Sequence, residues 1–523
     1  MSENKKLLKA TGIISSGTFL SRIFGFIRDM VIAKIFGAGF ATDAFFVAFK
    51  IPNLLRRLLG EGALSAAFIP LFTEYFTTKS KEDAWKFASA IFSTLLVLLF
   101  AITLFGIIFM PAIITVLAPG FYHELHKFNL TVYLTRITFP YIFLISLTAL
   151  SMGILNSLRH FTVPAMSPVL LNLSLIGAAF FICPYLKIPV SGLAIGVIIG
   201  GLLQFIFHIP PLLKSGLKFT PDFSFSHPGV KKVVLLMAPS VIGLAVTQFN
   251  IFVDTLIASL LSEGSISYLY YADRVMQFPL GVFGTAIGTA ILPTLSSFAA
   301  KKDMEGMRDT ISFGLRFTFF IAIPAMTAQI VLSLPIVSLL FERGEFTHQA
   351  AINTSQALIA FSIGLWAYSG IKVIAPAYYS VQDTKTPVRI AIISMIANVV
   401  FNLILMHPLK HAGIALATSL SAMLNLLLLI YYLPDAVRRL GWSNIVNSVL
   451  KICLSSAVMG IICYLFISYQ PPALSRGIAG LIWFSFTILT GLAVYFGMAA
   501  FIKCKEMTFL IDSVKSKLGH KPF

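Results

Sequence analysis

The sequence predicts an all-α protein that crosses a membrane about fourteen times. Of its 523 residues, 57% are hydrophobic and 11% are charged, whereas a soluble domain is about 25% charged. Apolar runs of the length that spans a bilayer recur along the chain and leave no stretch long enough for a soluble domain. The predicted spans cover residues 9–36, 41–72, 83–111, 129–158, 163–183, 189–212, 232–260, 266–297, 310–340, 350–381, 387–406, 412–435, 444–469 and 475–502.

Basic residues set the predicted orientation of these spans. With a cytoplasmic N-terminus, 19 of the lysines and arginines outside these spans fall on the cytoplasmic side and four on the opposite side, which is the positive-inside distribution. Both termini are therefore predicted to be cytoplasmic. The net charge of +18 reflects topology and does not indicate a nucleic-acid partner. The first apolar run continues through Arg22 and Arg28 to Phe36, so we expect a retained helix and not a signal peptide.

Two halves of the chain resemble each other. Four short motifs recur in the same order, offset by 219–225 residues; Asp29–Lys34 matches Asp254–Ser259, for example. Six predicted spans separate the matched ones, an even number, so the repeats run in parallel. Paired lobes of this kind usually hold substrate at their interface near the bilayer midplane. The predicted parts are two six-helix lobes over 1–220 and 221–440, a helix pair over 441–502 and a basic cytoplasmic tail over 503–523.

Four of the arginines inside predicted spans are candidates for a functional site, because a charge there costs roughly 2.5–3.5 kcal/mol on insertion scales. Arg22 and Arg28 are in the first span, Arg56 is in the second and Arg274 is in the eighth. Because such residues usually face a protein interior or a water-filled cavity, we expect the four to line one hydrated cavity. Guanidinium groups stay charged and bind phosphate oxygens bidentately. The cavity is therefore predicted to bind an anionic substrate.

Other polar residues share helix faces with the arginines of the first two spans. Asp29 lies seven residues after Arg22, on the same face, and can partly neutralise it. Asn53 and Glu61 belong to a polar stripe with Arg56. These residues are candidates for contact with the substrate.

The eighth span carries a similar polar face around Arg274. Gln277 follows it by three residues, and Asp273 precedes it directly and is expected to set its rotamer. Any one of these arginines could instead pair two helices or extend its side chain to the membrane interface, without lining a cavity. A set of four favours a cavity.

A second candidate site is rich in oxygen atoms. Asp254 lies in the seventh span, Asn398 and Asn402 are one turn apart in the eleventh, and Thr418 is in the twelfth. Together they are a candidate site for a cation such as sodium; the alternative is hydrogen bonding between packed helices.

Signatures of enzymes and cofactors do not occur in the sequence. It has no HExxH motif, no P-loop and no candidate Ser–His–Asp group, and its four cysteines have no CxxC spacing. No cofactor is predicted, the one candidate ion is sodium, and the chain is predicted not to be an enzyme.

Several motifs resemble those of the MurJ (MviN) family, which belongs to the multidrug/oligosaccharidyl-lipid/polysaccharide exporter superfamily. The resemblance covers nearly the whole chain. The segments that carry it are Ser21–Asp29, Phe36–Gly39, Ala41–Phe46, Pro52–Arg57, Glu61–Ala63, Tyr271–Arg274, Phe341–Thr347 and Gln382–Pro387.

The resemblance implies fourteen helices in two lobes around a cationic cavity, with the last helix pair forming a hydrophobic groove. It implies that Arg28, Arg56 and Arg274 are cavity arginines, that Arg22 is a further one, and that Asp29 and Asn53 lie beside them. Further candidate substrate or gate residues are Ser21, Asp43, Glu61, Asp273 and Gln277.

Two positions depart from the family's pattern. Gln277 stands where some members have a glutamate. The family's sodium site would fall on Asp254, Asn398, Asn402 and Thr418, and Asn402 stands where a sodium-binding member has an aspartate. One formal charge of the sodium site is therefore missing here.

The resemblance implies a flippase of the bacterial cytoplasmic (inner) membrane that moves lipid II, the undecaprenyl-pyrophosphate-linked peptidoglycan precursor, by alternating access. It makes lipid II and membrane lipids the expected partners, with cell-wall synthesis or division proteins as further candidates. Three alternatives remain: a flippase for another prenyl-linked glycan, a drug or organic-cation antiporter of the same superfamily, and a membrane enzyme acting on polyprenyl phosphates. An antiporter would need an acidic or aromatic site, and an enzyme would need clustered carboxylates or a nucleophile.

Overall fold

The structure is a computed structural model that describes residues 3–56, 64–217, 220–222, 227–281, 285–434, 437, 440–471 and 477–517. Within these ranges the regular elements are all helices. The α-helices are α1 (Glu3–Phe36), α2 (Phe40–Leu55), α3 (Ser65–Thr78), α4 (Lys81–Ile108), α5 (Met110–Leu117), α6 (Leu125–Thr138), α7 (Tyr141–Ser157), α8 (Thr162–Phe181), α9 (Ser191–Lys214), α10 (Pro228–Ser259), α11 (Ser265–Pro279), α12 (Thr285–Ala300), α13 (Met304–Val331), α14 (Ser333–Phe341), α15 (His348–Ser362), α16 (Leu365–Ser380), α17 (Lys385–Tyr431), α18 (Trp442–Ser468), α19 (Gly477–Phe501) and α20 (Lys505–Lys517).

The helices agree with the predicted spans. Nine described segments are long and apolar enough to cross a bilayer. Each of the fourteen predicted spans coincides with helical structure: two of them lie in α17, and each of the others matches one helix or two successive helices. The fourth span, for example, is α6 followed by α7. Large apolar side chains on α4 are exposed, with Phe100 at 63% and Phe105 at 61%, as expected for a surface in contact with lipid. The chain is a multi-pass membrane protein.

The helix α17 contains the eleventh and twelfth predicted spans and is broken between them. At 47 residues it is about twice the length that one crossing requires. Lys410 has a φ of 49° and a ψ of −130°, which are not helical. Gly413 packs directly against the backbone of Leu405, although eight residues of straight helix would separate them by about 12 Å. The chain therefore reverses here, and Gly413 permits the close approach.

Two compact units make up the chain. Unit 1 contains Met1–Ser267 and Arg343–Thr347, and unit 2 contains Tyr268–Glu342 and His348–Phe523. The helix α10, which covers the seventh predicted span, belongs to unit 1, where it packs against α3, α4 and α5. The division between the two units falls near the start of α11. The predicted limits of the lobes and of the C-terminal helix pair stay a prediction.

Unit 1 is built on close contacts between helices. Its helix α1 packs along α8, where Gly17 lies against the backbone of Ala165, and α8 and α7 both pack on α9. A cluster of apolar side chains from α3, α4 and α7 forms part of its interior, including Phe68, Phe72 and Phe87, which are fully buried.

Unit 2 has its interior around α13. This helix packs against α16 and α18, and α18 packs against α19. The buried hydroxyl of Tyr495 on α19 donates a hydrogen bond to the carbonyl of Phe320 on α13 at 2.6 Å. The last two predicted spans, α18 and α19, are therefore joined to the interior of unit 2 on one side. Their other side exposes apolar side chains such as Ile482 and Leu489.

Candidate functional site

Arg28 lies at the centre of a buried polar network in unit 1. It is 5% exposed, and its Nε and Nη2 donate to Oδ1 of Asp29 at 3.0 and 2.7 Å. Its Nη1 donates to Oδ1 of Asn172 on α8 at 3.0 Å, and the amide of Asn172 donates in turn to the carbonyl of Ser21 at 3.1 Å. Two helices thus fix the plane of the guanidinium group. The sequence indicated Arg28 and Asp29 but gave no sign of Asn172.

The remaining candidates on α1 are less enclosed. Arg22 is exposed and Ser21 is half-buried, whereas Asp29 is 1% exposed. The expected pairing of Asp29 with Arg22 is replaced by the ion pair with Arg28 described above. Gly25 lies beside the side chain of Asn172, at a distance of ordinary van der Waals contact.

The candidates of the second span meet at the end of α2. Nε of Arg56 donates to Oδ1 of Asn53 at 3.2 Å, and both residues are half-buried. Asn53 and Arg56 therefore contact each other at this end of α2, and their place in a polar stripe stays a prediction. Glu61 lies outside the described residues.

Asp43, whose role the sequence left open, is the acceptor of a dense network in unit 1. It is 1% exposed; its Oδ2 accepts from Nζ of Lys127 at 3.0 Å and from the backbone N–H of Gly264 at 2.8 Å. Its Oδ1 accepts from the backbone N–H and the hydroxyl of Ser267 at 2.9 and 2.7 Å. A carboxylate at a helix start satisfies free N–H groups and is favoured by the helix dipole. Asp43 therefore caps α11, the helix on which Arg274 lies.

Arg274 itself belongs to unit 2, where Tyr270 holds it. Its Nη2 and Nε donate to the hydroxyl of Tyr270 at 3.1 and 3.4 Å, and its guanidinium carbon lies 5.1 Å from the ring centroid. Asp273, expected to set the rotamer of Arg274, accepts from Nε2 of Gln277 at 2.6 Å. Tyr270 was missed by the sequence reasoning, although it precedes Arg274 by one helical turn.

The candidate cavity residues fall in different units, with Arg22, Arg28 and Arg56 in unit 1 and Arg274 in unit 2. That these arginines line one common cavity stays a prediction.

The candidate sodium ligands are divided in the same way. In unit 2, Asn398 and Asn402 are fully buried, and Nδ2 of Asn402 donates to Oδ1 of Asn398 at 3.0 Å. The half-buried Thr418 donates to the carbonyl of its own helix at Ile414. Asp254, the one carboxylate of the set, belongs to unit 1. The three unit 2 residues offer only neutral oxygens, and one of these already accepts an N–H, so the sodium site stays a prediction.

Asp383 in the family-like segment Gln382–Pro387 has a local role. It lies in the loop before α17, where its Oδ1 accepts from the backbone N–H of Thr386 at 3.0 Å and of Lys385 at 3.1 Å. The hydrogen bond from Thr386 is the main reason that its pKa is lowered. Asp383 thus caps the start of α17.

Two further arginines within predicted spans were missed. Arg136, in the fourth span, donates from Nε to the carbonyl of Ile107 at 3.1 Å. Arg316, in the ninth span, pairs with Glu506 on α20, Nη1 to Oε1 at 3.1 Å. The criterion that selected the first four arginines, a charge inside an apolar run, also selects these two.

Comparison with known proteins places this arrangement in a family. The family model described as lipid II flippase MurJ matches residues 32–484. The chain belongs to this family. It is 44% identical over 433 residues to the probable lipid II flippase MurJ of Vibrio cholerae serotype O1, covering 82% of each chain. It is 38% identical over 499 residues to the probable lipid II flippase MurJ of Rickettsia prowazekii, covering 95% of this chain and 98% of the relative.

Solved structures agree with the assignment to the MurJ family. A structure described as lipid II flippase MurJ in an inward closed conformation superimposes with a TM-score of 0.79 at 31% identity, covering 94% of this chain and 98% of that one. An inward-facing multidrug resistance MATE family transporter of the MOP superfamily matches with a TM-score of 0.66 at 14% identity, covering 82% of this chain and 95% of the transporter. The second likeness shows a shared fold only.

Proposed function

We propose that this chain is a flippase that moves lipid II from the inner to the outer leaflet of the bacterial cytoplasmic membrane for cell-wall synthesis. The observation that carries the proposal is membership of the MurJ family over most of the chain. The arginines inside the membrane-spanning helices suit a pyrophosphate-linked substrate, because guanidinium groups bind phosphate oxygens in fixed geometry.

The arginines have distinct tasks in this proposal. Arg28 presents a guanidinium group whose orientation is already fixed by Asp29 and Asn172. Arg274 rests on the ring and hydroxyl of Tyr270, a contact within its own helix. The pyrophosphate binds to Arg28, Arg274 and Arg56. The acidic parts of the headgroup add further contacts with these arginines. Binding to groups that are already oriented costs less entropy than ordering them at the moment of binding.

Translocation then follows by alternating access. The two lobes rock about the bound headgroup while the prenyl tail stays in lipid, guided by the groove between α18 and α19. Both termini are cytoplasmic in this proposal, as the basic residues predict. Return of the empty carrier is driven by the membrane potential acting on cavity charges, at about 2.3 kcal/mol per elementary charge per 100 mV. No step depends on the candidate sodium site.

The test is complementation of bacterial cells depleted of their own lipid II flippase. Lipid II in the outer leaflet is measured with an added enzyme that cleaves only exposed lipid II, and the amount of the chain in the membrane is measured in parallel. We expect growth and exposed lipid II to return. If the chain reaches the membrane at the level of the native flippase and lipid II stays protected, the proposed function is wrong.

A parallel assay separates lipid II from other prenyl-linked glycans, which the same arginines would suit. Cells that lack a flippase for a different prenyl-linked glycan receive the chain, and surface display of that glycan is measured. We expect no rescue. Rescue of the other glycan without rescue of lipid II would reassign the substrate.

A further inference from the structure

A polar cleft in unit 2 is separate from all the candidate residues above. It has a volume of about 530 Å³ and lies between the first half of α13 and the start of α18. Two acidic and two basic side chains line it, together with the amide of one asparagine and two apolar residues. These residues are Glu305, Arg308, Asp309, Arg316, Asn444, Phe313 and Leu440.

The inner end of the cleft is fixed by a buried ion pair. Arg316 donates from Nη1 to Oε1 of Glu506 at 3.1 Å, and the hydroxyl of Ser448 donates to the same oxygen at 2.9 Å. Glu506 is 1% exposed, whereas the side chain of Arg316 keeps 16% of its surface accessible. The C-terminal helix α20 thus holds one side of the guanidinium group, and the accessible part lies at the wall of the cleft.

Charges in the cleft are ordered along α13. Glu305, Asp309, Ser312 and Arg316 follow one another at helical spacing and share one face. The acidic pair lies in the first turns of α13, and Arg316 lies about 10 Å further along the helix axis than Asp309. Lys301 and Lys302 precede the helix, so the positive-inside rule places the N-terminal end of α13 at the cytoplasmic surface. The cleft therefore runs from carboxylates at the water side to an arginine deeper in the leaflet.

We propose that this cleft binds the headgroup of a zwitterionic membrane phospholipid that carries a phosphate and a primary amine, as in phosphatidylethanolamine. In such a lipid the amine lies toward water and the phosphate lies deeper, next to the glycerol. The amine binds to Glu305 and Asp309, and the phosphate binds to Arg316. Phe313, which is exposed, lies beside the glycerol and the first methylene groups of the acyl chains.

The chemistry of the lining selects this class of lipid. A headgroup that carries only negative charge would be repelled by the carboxylates of Glu305 and Asp309. A choline headgroup carries no N–H to donate to those carboxylates, whereas a primary ammonium has three donors. Hydrogen bonds between charged partners are roughly twice as strong as neutral ones, so the amine is the feature that discriminates between lipids.

The test uses the full-length protein, purified in detergent and stripped of lipid, with bound lipid counted by native mass spectrometry. Phosphatidylethanolamine, phosphatidylcholine and phosphatidylglycerol with identical acyl chains are added in turn. We expect phosphatidylethanolamine to bind about tenfold more tightly than phosphatidylcholine, which is the effect of one charged hydrogen bond. The double variant Glu305→Gln/Asp309→Asn should lose this preference.

Both acidic residues are exposed, so we expect the double variant to fold, and a thermal unfolding curve checks this. Glu82→Gln is the matched control, an exposed acidic residue in the first turn of α4, and should bind like the native chain. Equal binding of phosphatidylethanolamine and phosphatidylcholine, or a preference that survives in the double variant, overturns the proposal. Binding of soluble phosphoethanolamine without binding of the intact lipid overturns the assignment to a membrane lipid. Lipid II transport is a separate measurement, so failure here leaves the proposed function untouched.

Discussion

Arg28 and Arg274 are held in different ways, although both are arginines inside membrane-spanning helices. Arg28 is 5% exposed and bonds to a carboxylate and to an amide from a second helix. Arg274 is half-buried, and Tyr270, one turn away on the same helix, contacts it with its ring and its hydroxyl. The first arginine depends on the packing of α1 against α8, whereas Tyr270 contacts the second from within the same helix.

The difference separates two reasons for keeping an arginine in a membrane helix. Removing one member of a buried ion pair leaves an uncompensated charge, so Arg28 contributes to stability as well as to any binding. Arg274 is half-buried, so its charge is partly solvated and its removal costs less stability. Loss of transport in a variant of Arg28 therefore has two causes, whereas loss in a variant of Arg274 reports mainly on the substrate.

The largest expected effect is on stability when Arg28 is removed. Arg28→Ala leaves the buried carboxylate of Asp29 without its ion pair, which we expect to lower the free energy of unfolding by about 3–5 kcal/mol. Arg274→Ala should lower it by less, because Arg274 is half-buried and its charge is partly solvated. Unfolding in detergent, followed by denaturant titration, measures both.

The double variant Arg28→Ala/Asp29→Ala is the control for this comparison. It removes both charges, so most of the lost stability should return. If Arg28→Ala and Arg274→Ala destabilise the protein equally, the contrast between the two arginines is wrong.

A second buried pair in unit 1 tests whether this behaviour is general. Asp43→Asn leaves Nζ of Lys127, which is 3% exposed, without its carboxylate, and we expect a loss of about 3 kcal/mol. Lys127→Met combined with Asp43→Asn should recover part of the loss, because no buried charge remains. Denaturant titration measures the free energy of unfolding of each variant. The control is Glu124→Gln, because Glu124 is an exposed acidic residue near Lys127 in the sequence. A loss no greater than that of the control would contradict the ion-pair explanation.

Asn172 offers a smaller change at the Arg28 site. Asn172→Ala removes the acceptor for Nη1 and keeps the ion pair with Asp29, so we expect a loss of about 1.5–3 kcal/mol, the value of a hydrogen bond to a charged group. Leu173→Ala, at an exposed neighbour on the same helix, is the matched control. Equal stability of the two variants would show that the amide does not hold Arg28.

The smallest effect is expected at Tyr270. Tyr270→Phe removes the hydroxyl and keeps the ring under Arg274, so the free energy of unfolding should fall by only about 0.5–1.5 kcal/mol. Tyr270→Ala also removes the ring and releases the guanidinium group, so it should reduce lipid II transport more than Tyr270→Phe does. Transport per molecule of protein, measured in depleted cells, ranks the variants. An alanine variant as active as the phenylalanine variant would mean that the ring does not position Arg274.

Sequence reasoning predicted the helices well, because spans in a bilayer need long apolar runs that can be read directly. Arg28 and Arg274 lie on helices that it predicted. It missed Asn172, which lies 144 residues after Arg28, because nothing in the local sequence connects the two. Tyr270 was available from helical spacing alone.

The same limit applies to the carboxylates. Asp43 looked like an isolated residue, since its partners Lys127 and Ser267 are 84 and 224 residues away. Arg316 could have been recognised as a charge inside an apolar run. Its partner Glu506 could not, because it lies on a short polar helix 190 residues later that hydropathy assigns to a tail.

The most direct test of the central claim, that arginines inside the membrane bind the pyrophosphate of lipid II, is transport by variants in flippase-depleted cells. Exposed lipid II is measured for the native chain, Arg274→Ala, Arg28→Ala/Asp29→Ala and the control Arg136→Gln, each normalised to protein in the membrane. We predict full exposure for the native chain and the control, and none above background for the other two. Normal exposure of lipid II by Arg274→Ala at native protein level would contradict the claim.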